Sequence, residues 1–467
     1  DCDLTLPAVL PQMGERVRIV FPYEYRHYFN ENCEYKYTTS LYGEEEWTHR
    51  LDWMAMNGFN MFLLDIGEHA VWLNAADELG LNDAAKTELL YANKGTEQYY
   101  GEYAISAEAA AREGALAKFV TQRGLDLGME PEIRPFVGQL LFMFPENRGD
   151  YYGSSSKSDF IINLPNSVFD GVTAYAAARW MNLPQGIFLS PEVAPGSGKD
   201  ADKAKAVFHQ VSDIYYASLL EVLGFDEYGR TPQFGFKDMV GEQGFVVQHA
   251  AFPQKVIEEM VDGLLKLNPD AVWMQTSWRY STWLTRYYRP GSLMFVDLKA
   301  DNNPKWNSTD EFGGTPWVWS MLFNFGGNTG LGGGFDQITT DVIHASKAAN
   351  YMRGISISPE GGDTNPALYG LMAEMTWRSE APDMEQWLKD YAKRRYGAEN
   401  YALAQTELDS VWAQLYTTVY SGNCPGGADG PSQTLINASP KLTGAKARVY
   451  GTNSKAYASK DIIPAWA

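Results

Sequence analysis

Strand-type and helix-type segments alternate along roughly three quarters of this 467-residue chain, and that alternation restricts the folds open to it. Val17–Phe21 reads as a short apolar strand. Glu44–Asn57 reads as a helix, with Glu44, Glu45 and Glu46 in its first turn, Trp47, Leu51 and Met54 on one face, and Gly58 as its stop. Phe59–Ile66 follows as a buried strand. Ser106 is placed to cap an alanine-rich helix that ends near Gly124. Further strands are expected at Met129–Val137, Gln233–Val240, Ala271–Thr276, Leu293–Leu298, Trp317–Phe323 and Gly354–Ser358, with helices at Asp200–Leu223 and Gln254–Leu267 between them. The simplest parallel arrangement of such a series is a (β/α)8 TIM-like barrel. After Pro382 the pattern becomes helical: Asp383 and Gln386 form a capping-box-like start, Gly397 a stop, and Tyr401–Tyr420 a second helix. The expected domains are therefore an N-terminal remnant at 1–15, a barrel at 16–381, and the start of an all-α C-terminal domain at 382–467, cut short in this chain.

Two predicted strands of this α/β series lead into glutamate-bearing loops, Asp238-Met239-Val240-Gly241-Glu242 and Ser358-Pro359-Glu360-Gly361-Gly362. Carboxyls at two strand ends of one barrel are how a glycosidase flanks a sugar bond, although acidic residues are also ordinary in loops. Aromatics make up 14% of the chain, enough either for sugar stacking or for a large barrel core. The net charge of −20 opposes binding to nucleic acid or anionic lipid. Cys2, Cys33 and Cys424 fit no zinc pattern, and one bridge would leave a thiol over. His27, His49, His209, His249 and His344 show no ligand spacing, so no metal site is expected. His69, beside Glu68 at a strand end, is a candidate pocket residue or a satisfied histidine. There is no HExxH, no GxSxG elbow and no P-loop, and no cofactor is expected. No apolar run approaches the ~18 residues of a membrane span.

Several stretches, in order along nearly the whole chain, carry a resemblance. They are Leu51-Asp52-Trp53-Met54-Ala55-Met56-Asn57-Gly58 with Phe59-Asn60, Gly67 through Ala70-Val71-Trp72, and Asp297-Leu298. Next come Trp319-Ser320-Met321-Leu322-Phe323-Asn324-Phe325-Gly326-Gly327-Asn328 and Pro359-Glu360-Gly361. Leu371-Met372-Ala373-Glu374-Met375-Thr376-Trp377-Arg378 and Arg394-Arg395-Tyr396-Gly397 complete the series. Together they resemble the α-N-acetylglucosaminidases, a glycoside hydrolase family with lysosomal and secreted bacterial members.

That resemblance implies a retaining enzyme with two catalytic glutamates. Glu360 falls on the nucleophile and Glu242 on the acid/base, where Gly241 replaces a polar residue of the family pattern; Glu68, Asp238 and Glu258 are the remaining acidic candidates. The family carries a Glu where His69 stands, a His where Gln139 stands, and a polar group where Phe323 stands. Asn30, His69, Gln139, Trp278, Asp297, Trp319 and Asn324 are the candidate substrate-binding residues. Trp278 and Trp319 would stack on sugar or fill the core, and Asn324 would meet a hydroxyl or hold its turn. The implied reaction is exo-hydrolysis of terminal α-linked N-acetylglucosamine from a glycosaminoglycan, mucin or other glycoconjugate. A related α-sugar preference, or a glycan-binding homologue that has lost catalysis, is the alternative. The expected location is secreted, periplasmic or lysosomal.

Overall fold

The computed structural model describes residues 14–16, 18–28, 39–64, 66–78, 106–133, 201–232, 234–236, 262–277, 280, 291–322, 332–359 and 365–421. Eight short strands belong to one sheet, and every strand pairing with a defined register is parallel. They are β1 (Tyr25–Tyr28), β2 (Met61–Leu63), β3 (Glu130–Glu132), β4 (Phe234–Phe236), β5 (Val272–Thr276), β6 (Leu293–Asp297), β7 (Trp317–Met321) and β8 (Met352–Ile357). The architecture is a (β/α)8-type barrel followed by helices. By internal contacts the chain divides into two compact units: Asp1–Leu41, Met56–Asn60 and Asp297–Ala467 form one, Tyr42–Ala55 and Met61–Val296 the other.

In the first unit β8 lies between β1 and β7, with Tyr25 opposite Gly354 and Ser320 opposite Ser356. The backbones of β1 and β8 come so close at Gly354 that a Cβ there would sit 2.1 Å from the Tyr25 carbonyl oxygen. The strand expected at Val17–Phe21 is not one: residues 18–21 are irregular, with Ile19 and Val20 exposed and Phe21 beneath the Arg26 guanidinium, 4.3 Å from ring centre to Cζ. The true first strand, Tyr-Arg-His-Tyr, carries two polar side chains and so lacks the apolar run by which a buried strand is recognised.

The connection from β6 to β7 contains one turn of left-handed helix, with φ near +50° at Asp310, Glu311 and Phe312. L-residues pay roughly 1–2 kcal/mol each for this conformation. The Glu311 carboxylate offsets that cost by accepting from the Asn350 and Tyr351 backbone N–H groups, at 2.9 and 2.7 Å, and from the Trp317 indole N–H at 3.0 Å. Trp317 also stacks on Trp306, with centroids 5.5 Å apart.

The helices beyond the barrel are α7 (Met384–Tyr396), α8 (Ala398–Leu403) and α9 (Gln405–Thr418), numbered after the barrel helices α1 to α6. Asp383 caps α7 by accepting from the Glu385 and Gln386 N–H groups, while the Gln386 side chain donates forward to Asp390 rather than completing a capping box. Trp387 and Tyr391 on α7 join Trp412 on α9, Phe335 and Tyr420 in one aromatic cluster, in which Phe335 and Tyr420 stack 4.1 Å apart. The Tyr420 hydroxyl donates to Asn365, whose amide donates to the Gly332 carbonyl. Asn365 opens α6 (Pro366–Glu374), and α5 (Val342–Ala348) precedes β8.

In the second unit β2 pairs with β3, and β5 lies between β4 and β6. Its helices are α1 (Glu44–Met56), α2 (Glu68–Glu78), α3 (Ala107–Asp126) and α4 (Ala201–Val222). Helix α1 buries Trp47, Leu51 and Met54, the face its spacing predicts. Ser106 caps α3 through the Ala109 N–H. Helix α3 ends at Asp126, close to Gly124 as expected, and Gly124 itself lies inside the last turn, where a Cβ would meet the Phe62 ring of β2 at 2.4 Å, so its role is close helix–strand packing. Gly114 of α3 likewise touches Ala70 of α2, and Trp72 of α2 packs on Tyr215 of α4.

Gly354→Ala is expected to lower stability by about 1–3 kcal/mol in urea denaturation, because neither backbone can move without breaking the ladder. Burial raises the Glu311 pKa, but its N–H and indole partners outweigh burial and hold the carboxyl below its ordinary 4.5. Its stabilisation is thus present above the unfolded pKa and lost as pH falls through the lower folded value. Glu311→Gln should cost about 1–3 kcal/mol at neutral pH, and the gap from wild type should close below about pH 4.

Candidate active site

A barrel binds its ligands at the carboxyl ends of its strands, so the residues there define the candidate site. In the first unit those ends carry a buried polar seam. His27 of β1 has Nδ1 3.3 Å from the Ser356 hydroxyl of β8, and the Ser320 hydroxyl of β7 lies 2.6 Å from that of Ser358, just past β8. All four side chains are buried. Strand alternation places Ser356 and Ser358 on one face, and Ser358 precedes Glu360 by two residues in sequence. His27 had no ligand spacing to mark it; its role emerges only from the β1–β8 register.

Trp319 is fully buried in β7, in step with Trp317 and Met321 and alternating with Ser320. Of its two expected roles, this placement fits core packing. Asp297 closes β6 and is fully buried. One of its carboxylate oxygens accepts from the backbone N–H groups of Lys305 and Trp306, at 2.9 and 3.0 Å, so the side chain braces the loop after its own strand. Asp301, which sequence reasoning missed, sits in that loop and accepts from the Leu322 N–H just beyond β7, at 3.2 Å. Burial pushes its carboxyl up to about 7 against the pull of its backbone donors, and the Asp297 charge adds to the rise. The only sequence signal for Asp301 is an acidic residue four places after a strand-end aspartate.

In the second unit β3 ends at Glu132, a fully buried glutamate that no motif in the sequence marked. Between β2 and α2, Gly67 adopts φ +95°, and His69 follows in the first turn of α2. The His69 Nδ1 lies 3.0 Å from one oxygen of Glu113 on α3, and the other oxygen accepts from the Gly67 N–H, also at 3.0 Å. The His69 Nε2 is buried and has no hydrogen-bond partner among the described residues. Glu113 was not foreseen, because it lies 44 residues from His69 on the face of a different helix.

Glu242, Glu360, Asn30, Gln139, Trp278 and Asn324 lie outside the described residues, as do the three cysteines. Among the described residues no group of three or more His, Cys, Asp or Glu side chains is arranged to hold a metal ion. Among the described residues, too, no helix is long and apolar enough to cross a membrane.

A (β/α)8 barrel whose strand ends carry buried carboxylates, hydroxyls and imidazoles, followed by a helical segment, has the build of a barrel hydrolase. The comparison with known proteins makes this specific. Residues 26–156 and 167–379 match the family model described as Alpha-N-acetylglucosaminidase (NAGLU) tim-barrel domain, and residues 387–467 match the corresponding C-terminal domain. The chain belongs to the α-N-acetylglucosaminidase family of glycoside hydrolases. It is 27% identical over 450 residues to the alpha-N-acetylglucosaminidase of Homo sapiens, covering 91% of this chain and 54% of the human protein. A family 89 glycoside hydrolase from Clostridium perfringens, in complex with 2-acetamido-1,2-dideoxynojirmycin, superposes with a TM-score of 0.71 at 25% identity over 99% of this chain and 49% of its own. A Clostridium perfringens protein carrying two Glu-to-Gln substitutions, in complex with its substrate GlcNAc-α-1,4-galactose, gives the same score and identity over 99% of this chain and 48% of its own. The chain spans about half the length of these relatives.

The raised Asp301 pKa carries its own test. The unfolded carboxyl loses its proton near its ordinary 3.8 while the folded one keeps it to about 7, so stability falls across that interval as pH rises. Asp301→Asn should remove that slope and leave the variant more stable than wild type at pH 8, relative to pH 4, in thermal melts.

Proposed function

We propose that this protein is a retaining, exo-acting α-N-acetylglucosaminidase that removes terminal α-linked N-acetylglucosamine from glycans by a two-glutamate double displacement. The observation that carries the reading is the family match across both the barrel and the C-terminal segment; within it, the resemblance assigns the two catalytic roles to Glu360 and Glu242. In this scheme Glu360, ionised, attacks the anomeric carbon and forms a glycosyl-enzyme. Glu242, protonated, gives its proton to the leaving oxygen and then takes one from the water that hydrolyses the intermediate. Retention requires the two carboxyls to stand about 5–5.5 Å apart, and the acid would need a raised pKa, for which a less polar wall and a nearby Glu360 charge are the sources this scheme calls on.

The sugar would be held by groups from several strand ends. Asn30, His69, Gln139 and Asn324 are the assigned hydroxyl and amide partners, Trp278 the assigned stacking platform, and Asp297 the brace for the β6 loop as well as a candidate partner. The reaction needs no cofactor. The glycan would be a glycosaminoglycan, mucin or other glycoconjugate met outside the cytosol: in a secreted, periplasmic or lysosomal setting.

Gly241 and His69 stand where the family carries other residues, and they favour one second reading, a related α-sugar preference. An unmatched sugar hydroxyl or buried donor changes preference by orders of magnitude. A panel of aryl α-glycosides separates the two: turnover of the N-acetylglucosaminide above all others supports the first, and a different preferred sugar replaces it. Glu360→Gln and Glu242→Gln should each lower kcat by at least about 10³-fold on a substrate with a poor leaving group. Near-normal turnover in Glu360→Gln refutes the nucleophile assignment.

A further inference from the structure

We propose that Asp301 is a pH-operated latch on the rim of the barrel: while its carboxyl keeps a proton it holds the loop after β6 against the exit of β7, and as it ionises it lets go. The latch acts on the conformation of the ligand-binding end and stands apart from the glycosidase reading.

Loop and strand are joined at two adjacent points. The Ala300 N–H donates to the Ser320 carbonyl at 3.0 Å, and the Leu322 N–H donates to one oxygen of the Asp301 carboxyl at 3.2 Å. The first bond runs between backbones and has nothing to titrate. The second depends on a side chain that can gain or lose charge. Ala300 and Leu322 are buried, whereas Asn302 and Asn303, next in the loop, are exposed. Asp301 stands at that border: its carboxyl is enclosed, although the residue keeps some surface. A small outward movement of the loop therefore returns the carboxyl to water and breaks the Leu322 bond.

Among the described residues, the charged groups that bear on this carboxyl are Asp297, at the end of β6, and Lys299, on the loop itself, while β7 offers the Leu322 N–H. The Lys305 and Trp306 N–H groups hold Asp297 in place four residues before Asp301. Burial opposes ionisation most strongly and the Asp297 charge adds to it; together they outweigh the N–H groups and Lys299, and the closed carboxyl keeps its proton to about 7. An amide would make the same Leu322 bond at every pH, so a carboxyl here makes the bond conditional. In the open loop the carboxyl regains its ordinary value of 3.8. Opening is then favoured by up to about tenfold per pH unit as pH rises between those two values, and levels off above the higher one. A local opening needs far less disruption than unfolding of the barrel, so the rim responds first.

Hydrogen exchange read by mass spectrometry tests this on the intact chain. In wild type, peptides covering Ala300–Trp306 and Leu322 should exchange at least about tenfold faster than the buried helix α6, through the local opening. Their protection, corrected for intrinsic exchange, should fall several-fold per pH unit between about pH 4.5 and 6.5. Asp301→Asn keeps the acceptor and loses the titration: its rim protection should match wild type near the acid end and stay level across the range. Asp301→Ala loses the acceptor, and its Leu322 peptide should be poorly protected throughout. A rim that exchanges in step with α6 places the titration in global unfolding and overturns the latch. Level rim protection in wild type, a slope that survives in Asp301→Asn, or a Leu322 peptide still protected in Asp301→Ala overturns it too. The wild-type comparison of rim with α6 decides the matter should a variant not fold.

Discussion

The contact between β1 and β8 at Gly354 fixes the rest of the barrel's first unit. A parallel ladder has a side-chain period of two, and a slip of one residue would turn every side chain of β8 to the other face. Among the described glycines, Gly354 opposite Tyr25 is the one where a Cβ would run into another strand's backbone. That match brings His27 level with Ser356, brings Ser320 and Ser358 into contact, and sets the phase in which the chain leaves β8 for Ser358 and Pro359. A glycine with no chemistry of its own thus sets which side chains meet in the buried polar seam.

Much of the fold was legible in the sequence, because the relevant signals are local. The acidic first turn and three-residue face of α1, the Ser106 and Asp383 caps, and the apolar cores of β5, β6 and β7 all follow from neighbouring residues. The first strand was misplaced because its burial depends on partners more than 300 residues away: His27 is accepted inside where Ser356 of β8 meets it. The end of α3 near Gly124 was legible, but the contact surface that Gly124 offers to Phe62 of β2 was not. In the candidate site the strand-end residues Asp297 and His69 could be singled out from position alone. Glu113 and Asp301 could not, since each acts through a group on another element, and no spacing within one segment encodes that.

The family match to a barrel domain followed by a C-terminal domain accounts for the change to helices after Pro382. The Phe335–Tyr420 stack and the Asn365 bridge tie that helical segment to residues just before α6, within the same unit. This gives the C-terminal segment a share in holding the Gly332 to Asn365 stretch of the barrel, which includes Glu360 in sequence. The α-N-acetylglucosaminidase family model for the C-terminal domain matches this same region as far as Ala467.

The left-handed turn at Asp310–Phe312 has a kinetic corollary. Each of its residues is strained by itself, and its compensating bonds reach Asn350 and Tyr351, 39 and 40 residues further on. The Thr309 hydroxyl and the Trp317 indole reach the turn from within its own segment, but the two bonds from the entrance of β8 wait until that chain has closed against β7. The turn is a late-forming element, absent from any early nucleus, so its integrity governs how slowly the barrel opens far more than how quickly it assembles.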